Sequence, residues 1–357
     1  MDFGPEIETY KGKTIGVYGG KFFPFHNGHL SFILKAQSMV DILFVVLQYD
    51  EDHEKALTKN TPYEWVEPRK RERWITEELK QLPNIRVTSQ YERRSPEHMS
   101  DPSIAVTYNQ LLEEVGGKID IIFSNTHDYD EYFAKYLPQS KHVVFYENRE
   151  EINISATQIR EQNVYNTWEY LPHSVQTFYT KRVALCGIES VGKTHMSKML
   201  AKSFSTVTAP EYGRFYYDEL NAYTGIDQET DYIDIATGHC YLLNQEVKKA
   251  HKVLIADSDL IYTQFFYMQS YGKKNEVLDL MIKQHADKID EYLYIEPYNF
   301  HELDGTRLHV DDEKRAQNNA QLKELYLSYG VKITFIAEAD RDKRYQACVN
   351  KVKQILN

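Results

Sequence analysis

The chain has 357 residues, 42% of them apolar and 27% charged, and a formal charge of −11. That length exceeds what one hydrophobic core ordinarily supports, so two domains are expected, and the acidity argues against a nucleic-acid surface, which needs clustered Lys and Arg. Three scattered cysteines, Cys186, Cys240 and Cys348, fit neither a zinc pattern nor a disulfide framework and read as reduced thiols.

In chain order, the first thirteen residues are acidic and polar, without the apolar core of a signal peptide. No later stretch approaches the roughly 20 apolar residues of a membrane span. A soluble, cytoplasmic protein with no transmembrane segment is the expectation. Five β-rich runs follow, at 14–18, 42–47, 85–88, 119–124 and 142–145, separated by helical stretches such as 28–38 and 68–82. Alternation of this kind predicts an α/β fold, a parallel sheet covered by helices.

Gly19 and Gly20 close the first run, and Lys21 to His29 then lead into a helix without the GxGxxG spacing of a dinucleotide fingerprint. Within this phrase His26 and His29 flank Gly28 at the helix start, where backbone N–H groups and the helix dipole favour anions. Imidazoles there suit a phosphoryl group gaining negative charge in a transition state, although a metal site or plain surface histidines would also fit the pair. After the fifth run, Ile154 to Arg160 read ISATQIR, in which Ser155 or Thr157 caps a helix and Arg160 follows one turn later. Trp65 and Trp74 suit either stacking on a cationic ring or ordinary packing.

The pairing of HxGH with ISxTxIR resembles the nucleotidyltransferase superfamily, specifically the adenylyltransferases that make NAD from nicotinamide mononucleotide. That resemblance covers residues 13 to 165. It implies that His26 and His29, with Gly28 between them, contact the ATP phosphates and stabilise the reacting α-phosphoryl group. Ser155, Thr157 and Arg160 would hold the departing β and γ phosphates, with Gly20 and Lys21 beside them. The mononucleotide phosphate is itself the nucleophile, so positioning and charge neutralisation suffice and no strong base is needed.

A packed connector at 161–180 holds Trp168, Pro172 and Phe178, placing a boundary near Pro172 and giving domains 1–170 and 171–357. The second series of runs lies at 182–186, 205–208, 253–256, 291–295 and 331–336. Between the first of these and an apolar-faced helix, Gly187 to Thr194 match GxxxxGK[ST], which predicts a second parallel sheet of the P-loop type. Amides from Gly187 through Glu189, Ser190 and Gly192 would cradle phosphates, Lys193 would reach the β and γ positions, and the Thr194 hydroxyl would bind Mg²⁺. Asp257, closing the run at 253–256, is the first choice for the Mg²⁺-organising acid and Asp259 the second, with substrate binding or a helix cap the other readings of Asp259. Glu211 is the candidate general base, with Arg214 as its ion-pair partner or a phosphate ligand. Tyr212 would wall a ring pocket or pack in the core. Arg307, in Leu303 to Arg307 (LDGTR), and Arg315 suit a lid closing on the transferred phosphoryl group, with solvated charge the competing reading of Arg315.

Both halves in this order, with EYGR, the aspartate pair and DGxR, resemble the bifunctional NadR family across nearly the whole chain. The resemblance implies a kinase half that phosphorylates nicotinamide riboside with ATP, and an adenylyltransferase half that converts nicotinamide mononucleotide and ATP to NAD and pyrophosphate. It also implies a homo-oligomer. Some members carry an N-terminal helix-turn-helix; the first run here begins near Thr14, so no DNA-binding role is expected. A pantetheine-phosphate or cytidylyl transferase fused to another nucleoside kinase, or an NAD-sensing regulator without turnover, are the competing readings.

Overall fold

The computed structural model describes residues 10, 12–92, 118–145, 152, 154–219, 228–297 and 312–357. The chain divides into two compact units, Met1–Phe178 and Tyr179–Asn357. The division falls at the end of the helix that follows Pro172.

In the first unit, β1 (Ile15–Gly20), β2 (Ile42–Tyr49), β3 (Ile85–Tyr91), β4 (Ile121–Ser124) and β5 (Lys141–Val144) form one sheet in the order β3-β2-β1-β4-β5. All of its pairings are parallel, with Ile15 opposite Ile42 and Gly16 opposite Ile121. Such a sheet must be covered on both faces. In β2 seven consecutive residues, Ile42 to Gln48, are accordingly buried. The helices are α1 (Asn27–Gln37), α2 (Glu51–Thr58), α3 (Pro68–Leu79), α4 (Asp130–Tyr136), α5 (Ala156–Glu161) and α6 (His173–Tyr179). Val17, Phe44, Ile122 and Phe133 are among the residues that fill one layer of the core. Strand order reverses between β1 and β4, and ligands of open parallel sheets bind outside the carboxyl ends at such a reversal.

The second unit repeats this logic with other connections. Its strands are β6 (Lys181–Cys186), β7 (Thr208–Ala209), β8 (Val253–Ala256), β9 (Glu291–Ile295) and β10 (Ile333–Ile336), in the order β10-β9-β6-β8-β7 and all parallel. Around them lie α7 (Lys193–Ser203), α8 (Tyr212–Glu219), α9 (Glu229–Glu246), α10 (Leu260–Tyr271), α11 (Glu276–His285), α12 (Asp312–Ser328) and α13 (Arg341–Leu356). One apolar layer joins Leu260, Tyr262, Tyr292 and Tyr326; another joins Leu200, Leu293, Val349 and Val352.

Two strands differ from the sequence expectation. The run expected at 205–208 forms a strand only at Thr208–Ala209. Ser205 stands at φ +51, and its N–H and that of Thr206 bond back to Lys202 and Ala201, so these residues finish α7 before the chain can extend. The run expected at 331–336 begins at Ile333, after the tight turn that Gly330 makes at φ +63.

Candidate functional sites

The first site opens beyond the end of β1. A cavity of about 250 Å³ is lined by Tyr18, His26, Gly28, His29, Asn125 and the Ile154–Thr157 segment, with Ser31, Phe32 and Ile152 completing the wall. The two histidines and the ISAT segment, 125 residues and more apart in sequence, thus share one cleft.

His26 precedes the first turn of α1 in extended backbone. Its N–H donates to Nδ1 of His29 at 3.3 Å, and the two rings stack with centroids 3.7 Å apart. A nitrogen that accepts cannot carry the proton, so the neutral His29 ring bears it on Nε2. Phe22 packs edge-on against His29 at 5.0 Å. Gly28 is needed here because a Cβ would stand 2.9 Å from Cε1 of His26.

Behind the cleft, the loop from Lys21 to Phe25 is held by two arginines. Arg71 donates to the Lys21 carbonyl at 2.6 Å and Arg160 to the Phe23 carbonyl at 2.6 Å, while both guanidinium groups face the Phe23 ring, at 4.9 and 5.6 Å. Arg71 also pairs with Glu54 at 2.6 Å, both side chains being fully buried. Removing either partner would leave a buried charge uncompensated, a loss of about 3–5 kcal/mol. Burial pushes the Glu54 carboxyl up, against the pull of Arg71. Lys21 meets Nε2 of His53 at 3.0 Å. Gly20 packs under the Phe22 ring.

The expected phosphate ligands divide. Ser155 caps α5 in a capping box with Gln158, and it lines the cleft. Thr157 lines it too, although its hydroxyl accepts from Arg160 at 3.0 Å. Arg160 is absent from the cleft wall; its guanidinium turns to the backbone of the preceding loop. Trp74 is buried against Phe178, and Trp65 is half-buried with the Lys55 ammonium 4.5 Å over its ring. Asn125 was not among the sequence candidates, because nothing in its spacing marks it; only pairing of β4 beside β1 brings it to the cleft.

The second site follows β6. Gly187 stands at φ +132, and a Cβ there would lie 2.6 Å from the Ile295 carbonyl oxygen, so only glycine fits. Ser190 and Gly192 also adopt left-handed backbone, at φ +64 and +91, which bends the loop into the start of α7. Glu189 and Ser190 are exposed at its crest. Lys193 is buried, donating to the Gly187 and Ile188 carbonyls at 2.8 and 3.0 Å. Its ammonium lies 4.4 Å over the Tyr262 ring. Desolvation lowers the Lys193 pKa, opposed by the charges of Glu211, Asp257 and Glu189.

Asp257, just past β8, is buried and hydrogen-bonded to Thr194, yet its Oδ1 has no hydrogen-bond partner among the described residues. A desolvated carboxylate oxygen beside the P-loop hydroxyl fits a divalent cation, since Mg²⁺ takes few protein ligands and keeps phosphates and water. Glu211 lies within charge reach of Lys193 and Asp257 and pairs with Arg214 at 3.4 Å. Asp259 is used inside the fold: one oxygen accepts from the amides of Ile261 and Tyr262, the other from the Tyr326 hydroxyl at 2.5 Å. That is the cap the sequence allowed as its alternative. Tyr212 sits against α9, its ring filling the space above Gly238. Arg307 and the rest of 303–307 lie outside the described residues, and Arg315 is half-buried on the first turns of α12. Tyr262 went unnoticed in the sequence because its contact with Lys193 joins residues 69 apart.

Comparison with known proteins agrees with both folds. A cytidylyltransferase-like family model matches residues 17–162 and an AAA domain model matches 182–344. The trifunctional NAD biosynthesis/regulator protein NadR of Escherichia coli K12 is 29% identical over 96% of this chain and 84% of its own length. That of Salmonella typhimurium LT2 is 30% identical over the same shares. Among solved structures, a NadR protein in complex with NR superposes with a TM-score of 0.75 at 25% identity, covering 98% of both chains. A NadR protein in complex with NAD and AMP-PNP gives 0.74 at 25% identity, covering 97% of this chain and 96% of that one. With likeness running through both units and over most of each relative, the chain belongs to the NadR family.

Proposed function

We propose that this protein makes NAD in two ATP-dependent steps, phosphorylating nicotinamide riboside in the Tyr179–Asn357 unit and adenylylating nicotinamide mononucleotide in the Met1–Phe178 unit. The observation that carries the reading is the pair of sites themselves: a stacked His26–His29 pair in one cleft with Ser155 and Thr157, and a P-loop lysine surrounded by Glu211 and Asp257. NadR structures with NR and with NAD and AMP-PNP support the choice of ligands.

In the kinase step, Glu211 accepts the proton of the riboside hydroxyl as that oxygen attacks the γ-phosphorus, whose bond to the β–γ bridging oxygen breaks to release ADP. Lys193 leaves its two loop carbonyls for the phosphates, and Arg214, released from Glu211, is positioned for negative charge. Thr194 and Asp257 would hold Mg²⁺, which when bound neutralises charge across the β and γ phosphates. Arg307 and Arg315 belong to the same step as lid cations. In the adenylyl step His26 and His29 donate to the α-phosphoryl oxygens as charge builds there, and Ser155 and Thr157 take the pyrophosphate end. Arg160 and Lys21 join them by moving off Phe23 and His53.

Incubation with ATP, Mg²⁺ and nicotinamide riboside should yield both mononucleotide and NAD by chromatography. Lys193→Ala should abolish riboside phosphorylation and spare NAD formation from supplied mononucleotide; His29→Ala should do the reverse, each with losses on the order of 100-fold or more. Absence of both products from the wild type would overturn the reading and favour other substrates for the two folds.

A further inference from the structure

Ser124, the last residue of β4, contacts His142 of β5, with Oγ and Nε2 2.7 Å apart. The other nitrogen of His142, Nδ1, lies 2.6 Å from Oδ1 of Asp130 at the start of α4. The second carboxylate oxygen meets Nδ1 of His127 at 2.8 Å. The Phe133 ring packs edge-on against the His142 imidazole at 4.9 Å, and the His142 side chain is only 10% exposed. Ser124 Oγ has two further neighbours on Thr126, the carbonyl oxygen at 2.7 Å and the amide nitrogen, which donates to it, at 3.4 Å.

Counting protons orders this cluster. The bonds from His127 and His142 hold the Asp130 carboxyl below its ordinary range. As a carboxylate it only accepts, so His142 donates from Nδ1. Ser124 has a single hydroxyl proton. If that proton goes to the Thr126 carbonyl, Nε2 of His142 must also donate and the ring is an imidazolium. If the ring is neutral, Nε2 accepts the Ser124 proton and the Thr126 carbonyl loses its donor. The bond that closes the turn from Ser124 to Thr126 is therefore tied to His142 and Asp130.

Between Ser124 and Thr126 lies Asn125, whose exposed side chain lines the cleft with His26 and His29 and has no hydrogen-bond partner among the described residues. We infer that Ser124, His142 and Asp130 form a positioning relay that fixes this turn and presents the Asn125 amide to ATP in the adenylyl-transfer cleft. The inference rests on the reading of that cleft given above. Hydrolytic triads use the same three residue types to activate a serine, but here Ser124 Oγ is also occupied by the Thr126 carbonyl and, at 3.4 Å, by the Thr126 amide. A substrate carbonyl has no clear approach to it.

A double-mutant cycle tests the relay. Asn125→Ala, Ser124→Ala and His142→Phe should each raise the KM for ATP in NAD formation about tenfold, leaving kcat within about threefold, as loss of a ground-state contact requires. The double variant Asn125→Ala/His142→Phe should be no worse than Asn125→Ala alone, because His142 acts only through Asn125. Retained kcat for NAD formation, with an unshifted unfolding transition of the Met1–Phe178 unit, reports an intact fold. Binding of a non-hydrolysable ATP analogue in the Lys193→Ala background reads the same contact without turnover, so the relay stands or falls separately from the reaction assigned to the cleft. Unchanged ATP affinity in His142→Phe, or losses that add in the double variant, would overturn the relay.

Discussion

At the scale of single residues, the two sites depend on what is missing from their glycines and on where charge is buried. Gly28→Ala would bring a methyl group within 2.9 Å of the His26 ring, so either the ring leaves its stack on His29 or α1 shifts. Adenylyl transfer should fall at least tenfold in kcat, because misplacement of a group near the reacting centre costs heavily. Phosphorylation of riboside by the same variant should remain at the wild-type rate. Asp259 offers a test of burial instead. Desolvation pushes its carboxyl up from 3.8 to about 6, so between these values the folded protein binds a proton that the unfolded chain has already released. Folding is therefore favoured by Asp259 below pH 4 and loses that contribution as pH rises to 6. Denaturant titrations should show wild type losing stability relative to Asp259→Asn across this window, by about 3 kcal/mol at most at 1.36 kcal/mol per unit. The constant cost of the substitution does not alter this slope. Equal slopes for the two proteins would contradict the burial argument.

At the scale of elements, legibility followed how local each signal was. Strands β1, β2 and β8 were readable as contiguous apolar runs, and β1 and the P-loop helix α7 also by the glycines that adjoin them in sequence. The His26–His29 and Gly187–Thr194 motifs were readable for the same reason. The resting place of Arg160 was not, because its hydrogen bond to the Phe23 carbonyl spans 137 residues. Tyr212 gives the same lesson between two helices. Its ring occupies the space over Gly238 of α9, where a Cβ would lie 2.0 Å from Cε1, and this notch seats α8 beside the residue proposed as base, Glu211. Gly238→Ala cannot be relieved by a flexible chain end, since a stiff ring is the obstacle. Overpacking of this kind costs about 1–3 kcal/mol, and the displaced α8 should carry Glu211 with it. Thermal unfolding should shift down by several degrees and riboside phosphorylation should fall at least tenfold, with NAD formation from mononucleotide unaffected. A variant of wild-type kinase activity would show that Tyr212 does not set the position of Glu211.

At the scale of the whole molecule, the two units have independent reasons to fold. Each has its own five-stranded parallel sheet and its own apolar layers, Val17 with Phe44 and Phe133 in one, Leu185 with Leu293 and Val352 in the other. Each also places its phosphate-binding loop at the carboxyl end of its first strand, so neither site borrows a strand from the other unit. A domain needs a core of its own before it can fold alone, and both units, at about 180 residues, are in the size range where one core suffices. Fragments 1–178 and 179–357 should accordingly unfold cooperatively when made separately. The first should form NAD from ATP and supplied mononucleotide, and the second should phosphorylate riboside, each with kcat within about threefold of the intact chain. The informative comparison is the coupled reaction from riboside to NAD: with independent sites, an equimolar mixture of fragments should reproduce the full-length time course, including the lag while mononucleotide accumulates. A full-length protein lacking that lag, beside a mixture that shows it, would mean that mononucleotide passes between the units without equilibrating with solvent, a property that neither motif nor either sheet specifies alone.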